Sequence, residues 1–573
     1  MTLRLIFFGL FIFLGNFISA QQKLKIVSPQ SSAVNVSSSR QFITGVTCAD
    51  CKIFINEKEV KVYKTGAFAY GVWLKPGENI FEIKSVNGKK EEIKSIKFSF
   101  TVPQPALPVS TNSIEYFSTY PEGNLLLSAG DIIQFEVKAL PGSTINVMGQ
   151  PLFETSGKMA GIYKGEYKIK DTDTFRNLKP VAIMRTPTGV EVKREGRYNF
   201  SVMNSDDNNV VITKGRLPYL LFGLGDDRLG GAKIGYLDSL IKLKVIGKVG
   251  INYKIQLAPN RTAYIEDDLV DVAAKGELYT TSLTNKWHVY GDGKYDYIQI
   301  PLSTRLPYQS MQIVEPSKVV VDIFGAISNT NWITVLNSAK EISNLSYEQV
   351  SDEVLRVSIN LKHKQHWGHT VYYSGNTLII RIKNQPANLS LSNLTIAVDA
   401  GHGGTNTGAV GITGVPEKEI TLQLAKKLQQ ELVDAGATVI MTREQEEFFD
   451  NKKRITFYRD SLPDLLISIH LNASGDPLSV EGTSTFYRYP GYRKLNGFIH
   501  DRLLELGLKD YGNNGSFNFM LNSPTEYPNS LVETLFLSNP AEEEKVLDID
   551  FQQKIAEKIV KGLTDFLKYA GQH

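Results

Sequence analysis

The strongest constraint on this fold is a change of periodicity near residue 390. Before it, from about residue 23 to 384, apolar and polar residues alternate in short runs broken by turn residues, the period-two pattern of half-buried strands. After it, apolar runs at 394–400, 438–442, 465–472 and 530–536 alternate with helical periods at 417–435, 499–506 and 551–569. That alternation predicts a mostly parallel sheet flanked by helices. At 573 residues the chain exceeds what one core usually holds. A multidomain protein is therefore expected, with N-terminal all-β modules followed by a C-terminal α/β domain.

The first 20 residues read as an export signal. Arg4 supplies a positive charge, residues 5–15 are nearly all apolar, and Ile18-Ser19-Ala20 offers small residues for cleavage. The apolar run is short for a membrane span and nothing comparable follows, so an exported protein of the periplasm or cell envelope, without a membrane span, is expected. Lys+Arg of 63 against Asp+Glu of 60 leaves almost no net field, which argues against a nucleic-acid partner.

Residues 23–105 carry turn signals at Pro29, Asn56-Glu57, Pro76-Gly77 and Asn87-Gly88. The stretch 66–79, a strand running into a Pro-Gly turn, resembles bacterial immunoglobulin-like domains. Cys48 and Cys51 are the only cysteines, and in an oxidising compartment the Cys-Ala-Asp-Cys spacing reads as a disulfide. A zinc half-site lacks visible partners, and a redox motif of this spacing would precede a helix. The proline-rich 102–108 reads as a linker. A second β-sandwich is expected over 109–205 and an SH3-like module over 209–273. Residues 275–385, with Pro316-Ser-Lys-Val-Val-Val-Asp-Ile-Phe-Gly325, resemble the localisation domain that precedes many cell-wall amidases. His363, His366 and His369 fall three apart, a spacing that on a strand points to opposite faces; exposed histidines on a strand or hairpin are expected rather than a metal cluster. His288, His500 and His573 likewise lack a companion pattern.

The α/β domain, 392–571, carries the chemistry. In Ile396-Ala-Val-Asp-Ala-Gly-His-Gly-Gly404, glycines allow a tight turn that projects His402 from a strand end, as a metal ligand or a loop hydrogen-bonder. Glu417 begins a helix, where a carboxylate also favours the helix N-terminus, as does Glu419. A buried strand, 464–472, delivers His470 to its carboxyl end. Two histidines and a carboxylate that leave one position for water form the donor set of a catalytic zinc site. Glu533 lies in an apolar strand, where an ionised carboxylate is costly unless paired or functional.

Taken in order, Asp399-Ala-Gly-His-Gly-Gly404, Glu417-Lys-Glu-Ile-Thr-Leu422, Thr442-Arg443, Ser468-Ile-His-Leu-Asn-Ala473 and Leu531-Val-Glu-Thr-Leu-Phe-Leu-Ser-Asn539 resemble the zinc-dependent N-acetylmuramoyl-L-alanine amidases of the third amidase class. The resemblance covers the last third of the chain. It implies one Zn2+ ion held by His402, Glu417 and His470, with Glu533 as the catalytic carboxylate and Asp399 and Asn472 supporting the site. The implied substrate is peptidoglycan, cut between muramic acid and L-alanine. Activator or division-site proteins are expected to act through the β modules. Asn522 stands where the family commonly has an Arg, and Glu446 where it has an Asp, which bears on substrate contacts. The segment 482–518 is too short for the helical insertion that plugs some relatives, so an open groove is expected. The rival readings are a zinc peptidase or deacetylase acting on another wall amide, and a non-catalytic wall-binding scaffold.

Overall fold

The computed structural model describes residues 24–103, 107–157, 159–204, 209–225 and 229–572. The expected export signal, His573 and part of the proline-rich linker lie outside the described residues. No helix among the described residues is long and apolar enough to cross a membrane.

Up to residue 384 the regular structure is almost entirely strand. The first module sets a three-stranded sheet (Lys25–Ser28, Arg40–Val46, Ala67–Trp73) against a five-stranded one around Ile43, Phe68, Ile83 and Phe98. Cys48 and Cys51 are joined in a disulfide with Cα atoms 5.1 Å apart. A seven-stranded arrangement follows around Phe135, Val137 and Met184. Beyond it, residues from 211–270 and 287–382 share one continuous apolar core, in which Leu243 and Ile265 belong with Trp287, Val321 and Ile380.

The C-terminal domain contains β1 (Thr395–Ala400), α1 (Glu417–Asp434), β2 (Thr438–Ile440), α2 (Asn451–Ser461), β3 (Leu465–Asn472), β4 (Thr483–Phe486), α3 (Arg493–Leu504), β5 (Asp510–Asn514), β6 (Asn529–Phe536), α4 (Pro540–Leu547) and α5 (Ile549–Gln572). The strand order is β2-β1-β3-β6-β4-β5, with β4 antiparallel to β6 and the other pairings parallel. Alternate residues of β1 and β3 face opposite ways, so each face needs its own cover. Ile396, Val398, Leu465, Ile467 and Ile469 pack with apolar residues of α1, α3 and α5. Ala397 and Leu466 meet Ile455 and Tyr458 of α2, with Leu521, Tyr527 and Leu217, the last contributed from far upstream.

The β-rich region is therefore built into the C-terminal domain's packing. Trp367 is 1% exposed and belongs to the C-terminal core, its ring centroid 5.8 Å from that of Phe566 and its Nε1 donating to Gln385 at 3.1 Å. Lys383 reaches Asp464 at 2.7 Å in a buried ion pair, and burial brings its ammonium down to about 8. The His369 amide donates to Thr525 O at 2.8 Å. Gly368 adopts φ +124 here, and a Cβ would fall 2.2 Å from Glu526 O.

This seam corrects the expectation of exposed histidines. His366 and His369 are 1% and 2% exposed, because 365–370 is sandwiched between the two domains rather than carried on a free hairpin. Burial pushes the imidazoles down to about 4 and about 3. Only His363 keeps partial exposure, 2.7 Å from Glu341. His500 is also buried, on α3, with its ring 3.0 Å from Asp510.

Removing a fully buried Trp costs about 3–5 kcal/mol. Trp367→Ala is expected to lower the melting temperature of the C-terminal domain in differential scanning calorimetry by more than 5 °C, on the scale of about 2–4 °C per kcal/mol for a domain of this size. An unchanged transition would contradict the shared core.

Candidate metal centre

β1 ends at Ala400 and the backbone turns sharply through Gly401. A Cβ at Gly401 would fall 2.4 Å from the His470 ring, so only glycine lets that ring approach. His402 follows with φ 62, a left-handed conformation that a non-glycine residue adopts at a cost. Two buried guanidiniums hold the turn. Arg443 donates to Ala400 O at 3.1 Å and Gly401 O at 2.9 Å. Arg454 donates to Ala400 O at 2.7 Å and also to His402 O. Arg454 is paired in turn with Asp399 at 2.7 Å, and the Thr442, Ser468 and Tyr458 hydroxyls also donate to that carboxylate. Burial alone would raise the Asp399 carboxyl, but Arg454 outweighs it and holds the group below its usual range.

Glu417 opens α1 after Pro416, which is extended and suited to a helix start. Its Oε1 accepts the Leu471 amide at 2.9 Å and its Oε2 the Ala409 amide at 2.8 Å. The same Oε1 lies 3.2 Å from His402 Nε2 and 3.1 Å from His470 Nδ1. Burial pushes this carboxyl up, yet the two imidazoles pull it well below the carboxylate range. Burial pulls His470 down, and Glu417, followed by Glu533 and Asp399, raises it above its ordinary value. His402 Nδ1 sits 3.0 Å from Asn406 Oδ1, an oxygen that also accepts the Gly408 amide.

The donor atoms of His402, Glu417 and His470 all lie within 4.8 Å of one another. Gly408, at φ +65, leaves the space they need: a Cβ there would come 2.4 Å from Glu417 Oε2 and 2.7 Å from the His402 ring. Two imidazole nitrogens and a carboxylate this close together fit a divalent metal of the zinc type. Glu533 is the register partner of His470 on the adjacent strand, so both side chains leave the sheet on one side. All four residues line one cleft of 390 Å³, walled by Phe449, Phe519 and Met520 and by Asn472 and Ala473.

The structure thus brings together His402, Glu417, His470 and Glu533. Asp399 is one step removed, acting on the His402 turn through Arg454. Asn472 lines the cleft, its Oδ1 accepting the Ala473 amide at 2.8 Å. Asn522 does not line the cleft: it is buried and donates to Phe486 O and Asn529 Oδ1, which removes it as a substrate contact. Glu446 accepts the Gly404 amide and Lys418 Nζ, each at 2.7 Å, and so braces the glycine turn. Between β3 and β6 the described chain places α3 against α5 on the apolar face, and no helix plugs the cleft. Arg454 and Asn406 belong to none of the motifs read from the sequence: Asn406 only follows the glycine turn, and Arg454 lies on the polar α2, beyond α1 and β2.

The family model described as N-acetylmuramoyl-L-alanine amidase matches residues 396–565, and the AMIN domain model matches 288–384. The uncharacterized protein YqiI of Bacillus subtilis is 32% identical over 177 residues, 30% of this chain and 84% of its own length. The germination-specific N-acetylmuramoyl-L-alanine amidase of the same organism is 32% identical over 206 residues, 33% of this chain and 85% of its own. Among solved structures, an N-acetylmuramoyl-L-alanine amidase from Clostridium difficile 630 is 30% identical, covering 30% of this chain and 97% of its own, with a TM-score of 0.30. Through its C-terminal third, the chain belongs to the N-acetylmuramoyl-L-alanine amidase family.

Proposed function

We propose that the chain is a zinc-dependent amidase that hydrolyses the bond between the lactyl group of N-acetylmuramic acid and L-alanine in peptidoglycan. The observation that carries this reading is the convergence of His402, Glu417 and His470 within 4.8 Å, with Glu533 in register beside His470 in the same cleft. These three residues would hold one Zn2+, which when bound supplies a Lewis acid that polarises a carbonyl and acidifies a water.

The remaining work falls to the chain's own groups. Glu533 takes the proton of the attacking water and returns it to the alanine nitrogen, so that the amine departs neutral. Asn406 orients His402, and the Leu471 and Ala409 amides fix both oxygens of Glu417. Such outer partners keep ligands aimed before anything binds. Phe449, Phe519 and Met520 narrow the cleft around the bond to be cut. The same reading makes the protein extracytoplasmic, with 23–105 as an immunoglobulin-like module, 109–205 as a second sandwich, 209–273 as an SH3-like module and 275–385 as the localisation domain. Division-site or activator proteins would dock on these modules.

Two variants separate proton transfer from metal holding. Glu533→Ala should retain one zinc per chain by atomic absorption and lose at least 100-fold in turnover on purified sacculi; activity within tenfold of the parent would remove Glu533 from this role. Gly408→Ala, whose Cβ collides with two ligands, should keep a native far-UV spectrum and lose at least tenfold in zinc affinity by competition with a chelator. Unchanged affinity would show that these residues do not form the metal site.

A further inference from the structure

A cleft of 390 Å³ has room for one muramoyl–peptide junction, whereas the wall substrate is a polymer that must leave the cleft over its lip. One lip leads to the first β module. From Ala473, which lines the cleft, the loop runs through Ser474, held by Ser538 Oγ at 2.8 Å, to Asp476. Asp476 Oδ1 accepts the Leu478 and Ser479 amides at 3.0 and 3.1 Å, while its Oδ2 pairs with Arg40 of the module at 3.0 Å. Beside it, Leu478 rests over Gly71, where a Cβ would lie 3.6 Å from its Cδ1. A backbone contact, Lys64 amide to Glu544 Oε2 at 3.0 Å, braces the module from α4.

Arg40 and Trp73 are direct cross-strand partners, so their side chains share the face that meets this loop. The guanidinium carbon of Arg40 stands 4.9 Å from the Phe42 ring centroid and 5.8 Å from that of Trp73. Trp73 is nonetheless 72% exposed. Asp476 lies three Cα steps beyond Ala473, at most about 10 Å. The indole therefore stands within a few sugar-ring lengths of the cleft, next to a guanidinium whose side chain is 43% exposed. An isolated exposed aromatic needs no explanation. This one is different because its cross-strand neighbour, Arg40, is ion-paired to the loop that leaves the cleft.

We propose that Trp73, with Arg40, forms a stacking platform for the glycan strand of the wall substrate, one module away from the bond being cut. Sugar C–H groups pack on the indole face and hydroxyls accept from the guanidinium. The proposal rests on the amidase reading for its substrate, but its test does not depend on catalysis. Full-length Glu533→Ala protein, with and without Trp73→Ala, is sedimented with purified sacculi, and the parent, Trp73→Ala and Trp73→Tyr chains are assayed on sacculi and on a soluble single-disaccharide muramoyl peptide. Trp73→Ala should weaken sacculus retention and raise KM on sacculi about fivefold, leave kcat and the soluble substrate unchanged, and be largely restored by Trp73→Tyr. Unchanged retention would overturn the platform and leave the face to another occupant, such as a partner protein. Equal losses on both substrates would also overturn it, by showing a structural role. If the parent cleaves neither substrate the amidase reading fails, and the sedimentation arm still decides the platform.

Discussion

The Glu417 carboxylate is the interaction on which the rest of this architecture depends. A buried carboxylate surrounded only by apolar groups would cost several kcal/mol or take up a proton. Here each oxygen is fixed by a backbone amide, one from the strand that carries His470 and one from the loop that follows His402. The first residue of α1 thereby ties together the ends of two strands and a loop. Both imidazoles then gather on Oε1, and the carboxyl stays ionised despite its burial.

Around that centre the chain keeps a costly backbone in place. His402 holds a left-handed conformation, and the carbonyls on its N-terminal side are gripped by two buried arginines. Breaking such a pair by removing Asp399 would leave Arg454 charged and uncompensated, which typically costs about 3–5 kcal/mol. The ion pair thus acts as a positioning element, gripping the His402 backbone carbonyl rather than its ring. The upstream modules extend the same logic: Trp367 and Leu217 complete the two faces of the catalytic sheet, so the β-rich region supports the site as well as reaching past it.

Much of the site was legible because its residues sit at strand ends and helix starts, where glycine turns and apolar runs leave strong local patterns. His402 after Gly401, His470 at the end of an apolar strand and Glu533 inside another all follow from that syntax. α2 was not legible: its sequence, Asn-Lys-Lys-Arg-Ile-Thr-Phe-Tyr-Arg-Asp-Ser, buries only Arg454, Ile455 and Tyr458, too few for an amphipathic period. Arg454 was hidden with it. β4 and β5 are short and polar and were missed for the same reason. The burial of His366 and His369 could not be read either, because it is set by a seam with residues such as Gly491 and Thr525, more than a hundred positions away, and strand alternation says which face a residue takes but not what covers that face.

The donor set alone does not choose which wall amide is cut, since zinc peptidases and deacetylases use the same groups. Mass analysis of the soluble products from sacculi digested by the full chain resolves this most directly. The account predicts intact stem peptides with a free N-terminal L-alanine, leaving glycan strands whose lactyl groups are unsubstituted. Shortened stem peptides still attached to muramic acid, or glucosamine with a free amine, would contradict it.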